Sequence, residues 1–380
     1  MIIFLCSAII YGLGYFYTFF KLADFMKPDI ASAVLLGIFL VFMALAPVLI
    51  QIYSTRGSIR SARIFAYAGF MWMAFIIIFV PVSLLLDIYN FIIRQGGLLY
   101  GKELGSFAVP QAYTVYIPCY ISVLLNVFGY FEAKMLRVKK IVIKTKKLPA
   151  GAGRIKIMQV SDLHLGLLVG EDMLGKVIRE FESHEPDIIV STGDLLDGAA
   201  HHAGSLANKL RKVHAPMGKF AVAGNHEFYG GLKHTMKFLE EAGFTVLREE
   251  GVTLDGMINI AGVDYFTDEK KKGDEASSEA DMLLKLPSGL FTILLKHKTD
   301  VSKKSLGLFD LQLSGHTHKG QIFPVNLLTP MVFQYHHGFT NLQNGSLLYV
   351  SSGAGTVGPP IRFLSPPELT MIEIVPESDN

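Results

Sequence analysis

The spacing of hydrophobic and polar positions divides the chain into two unlike parts. Over residues 1–131 apolar residues run on with no polar stripe, whereas beyond residue 132 they come in short runs separated by polar turns. Four uncharged runs stand out in the first part, residues 1–20, 30–50, 64–86 and 104–131. About 20 apolar residues cross a bilayer as a helix, and buried helices of soluble proteins keep a polar stripe that these lack. The pattern predicts four membrane-spanning helices over residues 1–131, the fourth starting near Ala112 because Pro110 lies ahead of it. The first run has no basic leading segment and no small-residue cleavage site, so it reads as a retained helix and not a signal peptide.

In the second part the period shortens. Ile155–Val160 reads as a strand, followed by a helix with Met173, Leu174, Val177, Ile178 and Phe181 on one face. Further strands are expected at 138–144, 188–190, 219–223, 291–295 and 311–313. Leu206, Leu210 and Val213 suggest a helix, another closes at Gly243, and residues 252–263 read as a hairpin turning at Asp255-Gly256. Residues 148–153 form a turn, and the charged stretch 267–280 reads as an exposed loop. The organisation expected is a membrane region (1–131), a basic juxtamembrane segment with a linker strand (132–153) and an α/β domain (154–376).

Composition agrees with membrane content: 51% of the residues are hydrophobic and the mean hydropathy is +0.38. Cys6 and Cys119 both lie in apolar runs, so neither a disulfide framework nor a thiolate zinc site is available. A net charge of +2 gives no signal for nucleic-acid binding. No charge sits at the centre of an apolar run, which removes support for ion or proton transport and leaves anchoring among membrane lipids. Arg56, Arg60 and Arg63 follow the second run, and Lys134, Arg137, Lys139, Lys140, Lys144, Lys146 and Lys147 follow the fourth. With four spans these clusters share one side, and the excess of basic residues makes it the cytoplasmic side of the cell membrane. The lysines of 138–144 also fit the solvated face of a strand.

The chemistry lies at the ends of the short strands. Five of them are followed by Asp162 and His164, Asp194, Asn225, His297, and His316 with His318. In open α/β sheets the carboxyl ends of strands are where ligands bind. If residues 316–318 are extended, His316 and His318 point to the same side and give two imidazoles to one pocket. Oxygen and imidazole donors without thiolate suit divalent manganese, iron or zinc and do not choose among them. Seven donors exceed one tetrahedral site and suffice for two metals, with Asp194 the simplest bridge.

Asp162-x-His164, Gly193-Asp194-x-x-Asp197, Gly224-Asn225-His226-Glu227, His297 and Gly315-His316-x-His318, in that order, resemble the calcineurin-like metallophosphoesterases. Ser352-Gly353-Ala354-Gly355, Pro360-Ile361-Arg362-Phe363 and Pro366-Pro367-Glu368 are similar to the membrane-associated bacterial branch of that family. The resemblance implies a sandwich of two mixed β-sheets flanked by helices. It implies one metal on Asp162, His164, Asp194 and His318 and a second on Asp194, Asn225, His297 and His316. Asp197 would orient a ligand, and His226, itself no ligand, would stabilise the transition state or protonate the leaving oxygen. The activity implied is hydrolysis of phosphodiester or pyrophosphate bonds, with a lipid-linked or nucleotide substrate. The alternatives are a phosphomonoesterase or phosphoprotein phosphatase and, third, an inactive membrane-binding protein.

Two positions depart from the family. Lys298-Thr299 stands where relatives carry Asn-Pro, and Lys319 where they carry Gly. Lys298 and Lys319 are therefore candidate substrate contacts, a positive rim for an anionic substrate. If residues 296–298 are extended, Lys296 and Lys298 instead point away from His297 into solvent.

Overall fold

Long apolar runs become helices and short ones become strands. The computed structural model describes residues 2–55, 58–149, 151, 153–197, 203–265 and 275–377. The chain forms two units. One comprises Met1–Phe131, Ile322–Pro324 and Gly358–Phe363; the other comprises Glu132–Gln321, Val325–Val357 and Leu364–Asn380.

The first unit holds α1 (Ile2–Met26), α2 (Ile30–Ala44), α3 (Ala46–Thr55), α4 (Ile59–Tyr100) and α5 (Tyr113–Glu132). Asp29 starts α2 by accepting the Ser32 N–H at 2.9 Å. The second apolar run is not one rod: it breaks at Leu45, and α2 and α3 meet at 51°. The third run extends far past its apolar core into a 42-residue helix, about 63 Å long at 1.5 Å per residue. Arg94, beyond the third apolar run, lies within this helix. Among the described residues α4 and α5 are long and apolar enough to cross a membrane, and the bent α2–α3 pair makes a third if it is one span. The first run forms α1, but its leading side chains lie outside the described residues, so the expected fourth span rests on them. Lys21 of α1 is paired with Asp87 of α4, which also accepts the Tyr17 hydroxyl at 2.6 Å.

Among the described residues the second unit is built on twelve strands. The first six are β1 (Arg137–Thr145), β2 (Ile155–Val160), β3 (Ile188–Ser191), β4 (Lys219–Ala221), β5 (Thr245–Val246) and β6 (Glu250–Leu254). They are followed by β7 (Ile258–Val263), β8 (Phe291–Lys296), β9 (Leu311–Ser314), β10 (Gly338–Asn341), β11 (Leu347–Val350) and β12 (Glu368–Pro376). Two mixed sheets result, ordered β1-β12-β2-β3-β4-β5 and β10-β11-β9-β8-β7-β6. β2, β3 and β4 run parallel, as do β7, β8 and β9. These strands are buried on both faces along nearly their whole length. The basic stretch after α5 is largely β1, in which Lys139, Lys140 and Lys144 are exposed.

Ile157, Ile188 and Val190 of the first sheet share one buried cluster with Ile260, Ile293 and Leu313 of the second. Among the described residues the α-helices of this unit are α6 (Glu171–His184), α7 (Ala203–Arg211), α8 (Asn225–Tyr229), α9 (Leu232–Glu241), α10 (Glu275–Leu284) and α11 (Val325–Val332). Leu174, Phe181, Leu206 and Phe238 of α6, α7 and α9 pack with Met158, Ile189 and Met371 of the first sheet. Met282 and Leu283 of α10 pack with Ala261 and Leu294 of the second. The exposed loop expected at 267–280 is thus corrected for its second half, which is helical; residues 266–274 lie outside the described residues.

Candidate metal centre

Five strand ends deliver the seven expected donors to one place. Asp162 and His164 follow β2, Asp194 follows β3 and Asn225 follows β4, all in the first sheet; His297 follows β8, and His316 and His318 follow β9, in the second. The turns that carry them are tight. Asp162, His164, Asp194, His316 and His318 all have left-handed backbone, with φ between 48° and 72°. Non-glycine residues there cost on the order of 1–3 kcal/mol each, so the surrounding contacts hold a strained set. Two glycines make the close approach feasible. Gly193 has φ +96°, and a Cβ there would overlap His297; a Cβ at Gly315 would overlap Ser161 and the Asp162 carboxylate.

Residues 316–318 are not extended as expected: His316 and His318 are both left-handed, and each joins a different donor group of the same cluster. In the first group, His318 Nε2 lies 3.0 Å from His164 Nε2 and 3.5 Å from Asp162 Oδ1. In the second, His297 Nε2 lies 3.2 Å from Asp194 Oδ2, 3.2 Å from His316 Nδ1 and 3.2 Å from Asn225 Oδ1. Asp194 stands between them: its Oδ2 is also 3.9 Å from His164 Nε2, while Oδ1 accepts the His226 backbone N–H at 2.8 Å.

The chemistry of these donors suits cations. His297 donates its Nδ1–H to the Thr192 carbonyl at 2.7 Å, which leaves a lone pair on Nε2 facing a carboxylate oxygen and an amide oxygen. Acceptor against acceptor in a dry site is repulsive unless a positive charge lies between them. A proton is one answer: burial opposes charge on His297, but the Asp194 carboxylate raises its pKa to about 9. Burial also works against the Asp194 charge, yet His297 holds that carboxyl well below the usual range. Burial, with the charge of His297, lowers His316 to about 3, and burial lowers His164, so both present neutral imidazoles. Neutral imidazole and carboxylate are the protonation states that bind metal. Burial raises the Asp162 carboxyl, against the pull of His297, and the Asp194 charge adds to that rise.

His226 lies at the edge of the first group, with its ring 4.6 Å from that of His164. Its ring nitrogens also reach the space shared by His164 and Asp194. Asp197 was expected to orient a metal ligand; it instead accepts from His226 Nδ1 at 2.8 Å. Burial opposes charge on His226, but Asp197 reverses this and the pKa is raised. Of the lysines, Lys296 does not face solvent. It is buried between Glu279 at 3.1 Å and Asp300 at 2.9 Å, because α10 covers that face of β8. Lys298 places Nζ 4.6 Å over the Tyr265 ring, which lies 5.4 Å from the His316 ring. Lys319 is half-buried beside His318.

Three supports were missed from the sequence. Ser161 donates to the Asp162 carboxylate. The Ser352–Gly355 stretch pins the β2 turn, where Ala354 and Gly355 N–H groups donate to the Ser161 and Asp162 carbonyls, both at 2.8 Å. Glu227, fully buried, accepts N–H groups of Gly224, Asp194 and Leu195 at 2.8 Å each and of Leu196 at 3.3 Å. It ties the β3 and β4 turns into one body. Burial and the Asp194 charge push its carboxyl up to about 7, against the pull of these donors. A glutamate three residues after the N-cap, here Gly224, is a local signal for this capping role. Glu227→Gln turns one acceptor oxygen into a donor; each buried N–H left unpaired costs about 1–3 kcal/mol. The expected result is a lower thermal midpoint together with weaker metal retention. An unchanged midpoint with full metal content would show that other contacts hold these turns.

Residues 155–320 match the family profile of the calcineurin-like phosphoesterases. An uncharacterized metallophosphoesterase of Aquifex aeolicus is 42% identical over 257 residues, covering 67% of this chain and 98% of that protein. A Bacillus subtilis metallophosphoesterase is 36% identical over 261 residues, covering 64% of this chain and 87% of the relative. A Danio rerio protein named a transmembrane protein with metallophosphoesterase domain is 29% identical over 269 residues, 66% of this chain and 60% of that one. The ordered donors at the strand ends and these relatives agree: the chain belongs to the calcineurin-like metallophosphoesterases and is a metal-dependent phosphoric ester hydrolase.

Proposed function

We propose that this protein is a membrane-anchored phosphoesterase that works with two divalent ions, manganese, iron or zinc. It hydrolyses phosphodiester or pyrophosphate bonds of a lipid-linked substrate. The observation that carries the reading is the pair of donor groups meeting at Asp194 Oδ2, with His226 at their edge. Asp162, His164, Asp194 and His318 would hold one ion, and Asp194, Asn225, His297 and His316 the other. Bound there, the ions supply positive charge to the phosphate and acidify a water.

The rest of the chemistry belongs to the chain. Thr192, by accepting from His297 Nδ1, keeps Nε2 facing Asp194. Asp197, by accepting from His226 Nδ1, leaves Nε2 for the substrate and favours the protonated ring. His226 then delivers a proton to the departing oxygen. Lys298, above Tyr265 and beside His316, supports an anionic substrate with more than one phosphate group.

The alternative is hydrolysis of phosphomonoesters. Turnover by the manganese-loaded protein of bis-p-nitrophenyl phosphate, p-nitrophenyl phosphate and a lipid-linked pyrophosphate separates the two. A higher kcat/KM for the first and third supports the proposal; a preference for p-nitrophenyl phosphate supports a phosphatase.

Asp194→Ala is expected to lose both ions and essentially all turnover. Metal analysis that finds two ions still bound would remove the bridging role. His226→Ala is expected to keep its metal while kcat falls by about 10²–10⁴, the range of a proton-transfer group. The loss should shrink for substrates with good leaving groups, and a parallel loss of metal would make His226 a ligand instead.

The basic residues flanking the apolar runs favour a cytoplasmic phosphoesterase unit at the cell membrane. Protease added to intact cells should spare it. Cleavage of the second unit from outside, without lysis, would reverse the orientation.

A further inference from the structure

The second unit carries one helix whose polarity is inverted. α11 has the sequence Val-Asn-Leu-Leu-Thr-Pro-Met-Val and no charge. Its polar residues turn inward: Thr329 is buried and donates to the Val325 carbonyl at 2.9 Å, and Asn326 is half-buried. Its apolar residues turn outward, with Leu327 60%, Leu328 55%, Met331 80% and Val332 64% exposed. In water this arrangement is unfavourable, since the large apolar side chains are wet.

Two observations say what covers this face. The first is chain continuity. The three residues before α11, Ile322–Pro324, belong to the helical unit, where Ile322 is buried with Ala74, Ile78 and Ile361. That unit contains the helices long and apolar enough to cross a membrane, so α11 starts one peptide bond from chain packed among them. The second is a run of aromatic residues on the carboxyl side of α11. Phe333, the next residue, sets its ring edge-on to His316 with centroids 5.7 Å apart. Tyr335 comes two residues later, and Phe339 of β10 is 44% exposed. Amphipathic rings such as that of Tyr335 are enriched at the membrane–water boundary.

We infer that α11 is an interfacial helix. Its outward face lies in the boundary between lipid head groups and acyl chains, and the acyl chains of the substrate lie along Leu328 and Met331 while its phosphoester passes Phe333 to reach His316. The acyl path rests on the lipid-linked reading above; the bilayer contact of α11 does not.

The test uses the full chain in lipid nanodiscs. Met331→Cys, in a Cys6→Ser and Cys119→Ser background, is labelled with an environment-sensitive nitrobenzoxadiazole dye. Lys237→Cys, on the exposed face of α9, is the control. The expected result is blue-shifted emission at 331 that is quenched by lipids carrying a spin label near the head group, several-fold more than at 237. Water-like, unquenched emission at 331 would overturn the inference. So would a blue shift that grows with the number of protein copies per disc and ignores the labelled lipid, which would mean that a second copy covers the face.

Substrate kinetics test the acyl path. Leu328→Glu with Met331→Glu is expected to raise KM for a lipid-linked pyrophosphate about ten-fold, the loss of a couple of methylene burials. Turnover of bis-p-nitrophenyl phosphate should stay within about two-fold, since it has no chains to bury. Lipid quenching with equal KM in variant and wild type would reject the acyl path. Lipid quenching in a protein that turns over no lipid-linked substrate would reject the substrate reading and leave the interfacial helix standing.

Discussion

Buried acceptors of like character crowd around Asp194, and the second unit is arranged to hold them there. Its Oδ2 lies between His297 at 3.2 Å and His164 at 3.9 Å, while the Asp162 carboxylate and the rings of His316 and His318 complete the cluster. Without a positive charge among them these groups repel one another. Left to local preference they would spread into solvent. Five of the residues instead sit in left-handed turns, a cost that packing elsewhere has to offset. The same crowding that strains the chain makes the site a receptor for cations. Stability and function are therefore in tension at this point, a common arrangement at active sites.

The offset comes from parts of the chain far apart in sequence. Glu227 gathers four N–H groups from the β3 and β4 turns. The stretch after β11 clamps the β2 turn through Ala354 and Gly355. His316 N–H bonds to both oxygens of Asp162, at 3.0 and 3.1 Å, and so ties a turn of the second sheet to one of the first. Beneath these turns, Ile157, Ile188, Ile293 and Leu313 share one buried cluster. Fully buried strands tolerate little movement at their ends, which is how a framework of apolar side chains can hold donor atoms to within a few ångströms.

Charge near the site is graded. Lys296 is neutralised deep under α10, whereas Lys298 rides on Tyr265 near His316. Two lysines that bracket the same histidine thus have different surroundings, one structural and one at the rim. The helical unit handles its charge in a similar way: Lys21 and Asp87 neutralise each other between α1 and α4.

Much of this was legible in the sequence. The apolar runs located the helices of the first unit, because length without a polar stripe is a property of the sequence itself. The strand ends that carry Asp162, His164, Asp194, Asn225, His297, His316 and His318 could be read because these strands are short, apolar-rich words that end in turn residues. Ordered motifs then named the family. What the tertiary structure decided has a common physical cause: backbone direction at turns and burial by distant elements are not encoded locally. Alternation put His316 and His318 on one side, but left-handed φ at both sent them to different donor groups. The same rule put Lys296 in solvent, but α10, drawn from a stretch that read as loop, buried it in an ion pair with Glu279. Asp197 looked like a partner for a ligand and became the partner of His226. β12 pairs between β1 and β2, whose residues lie more than two hundred positions earlier in the chain, a pairing no local pattern announces. A period of two or of 3.6 predicts which face a residue takes within its own element; it carries no information about what the rest of the chain lays over that face.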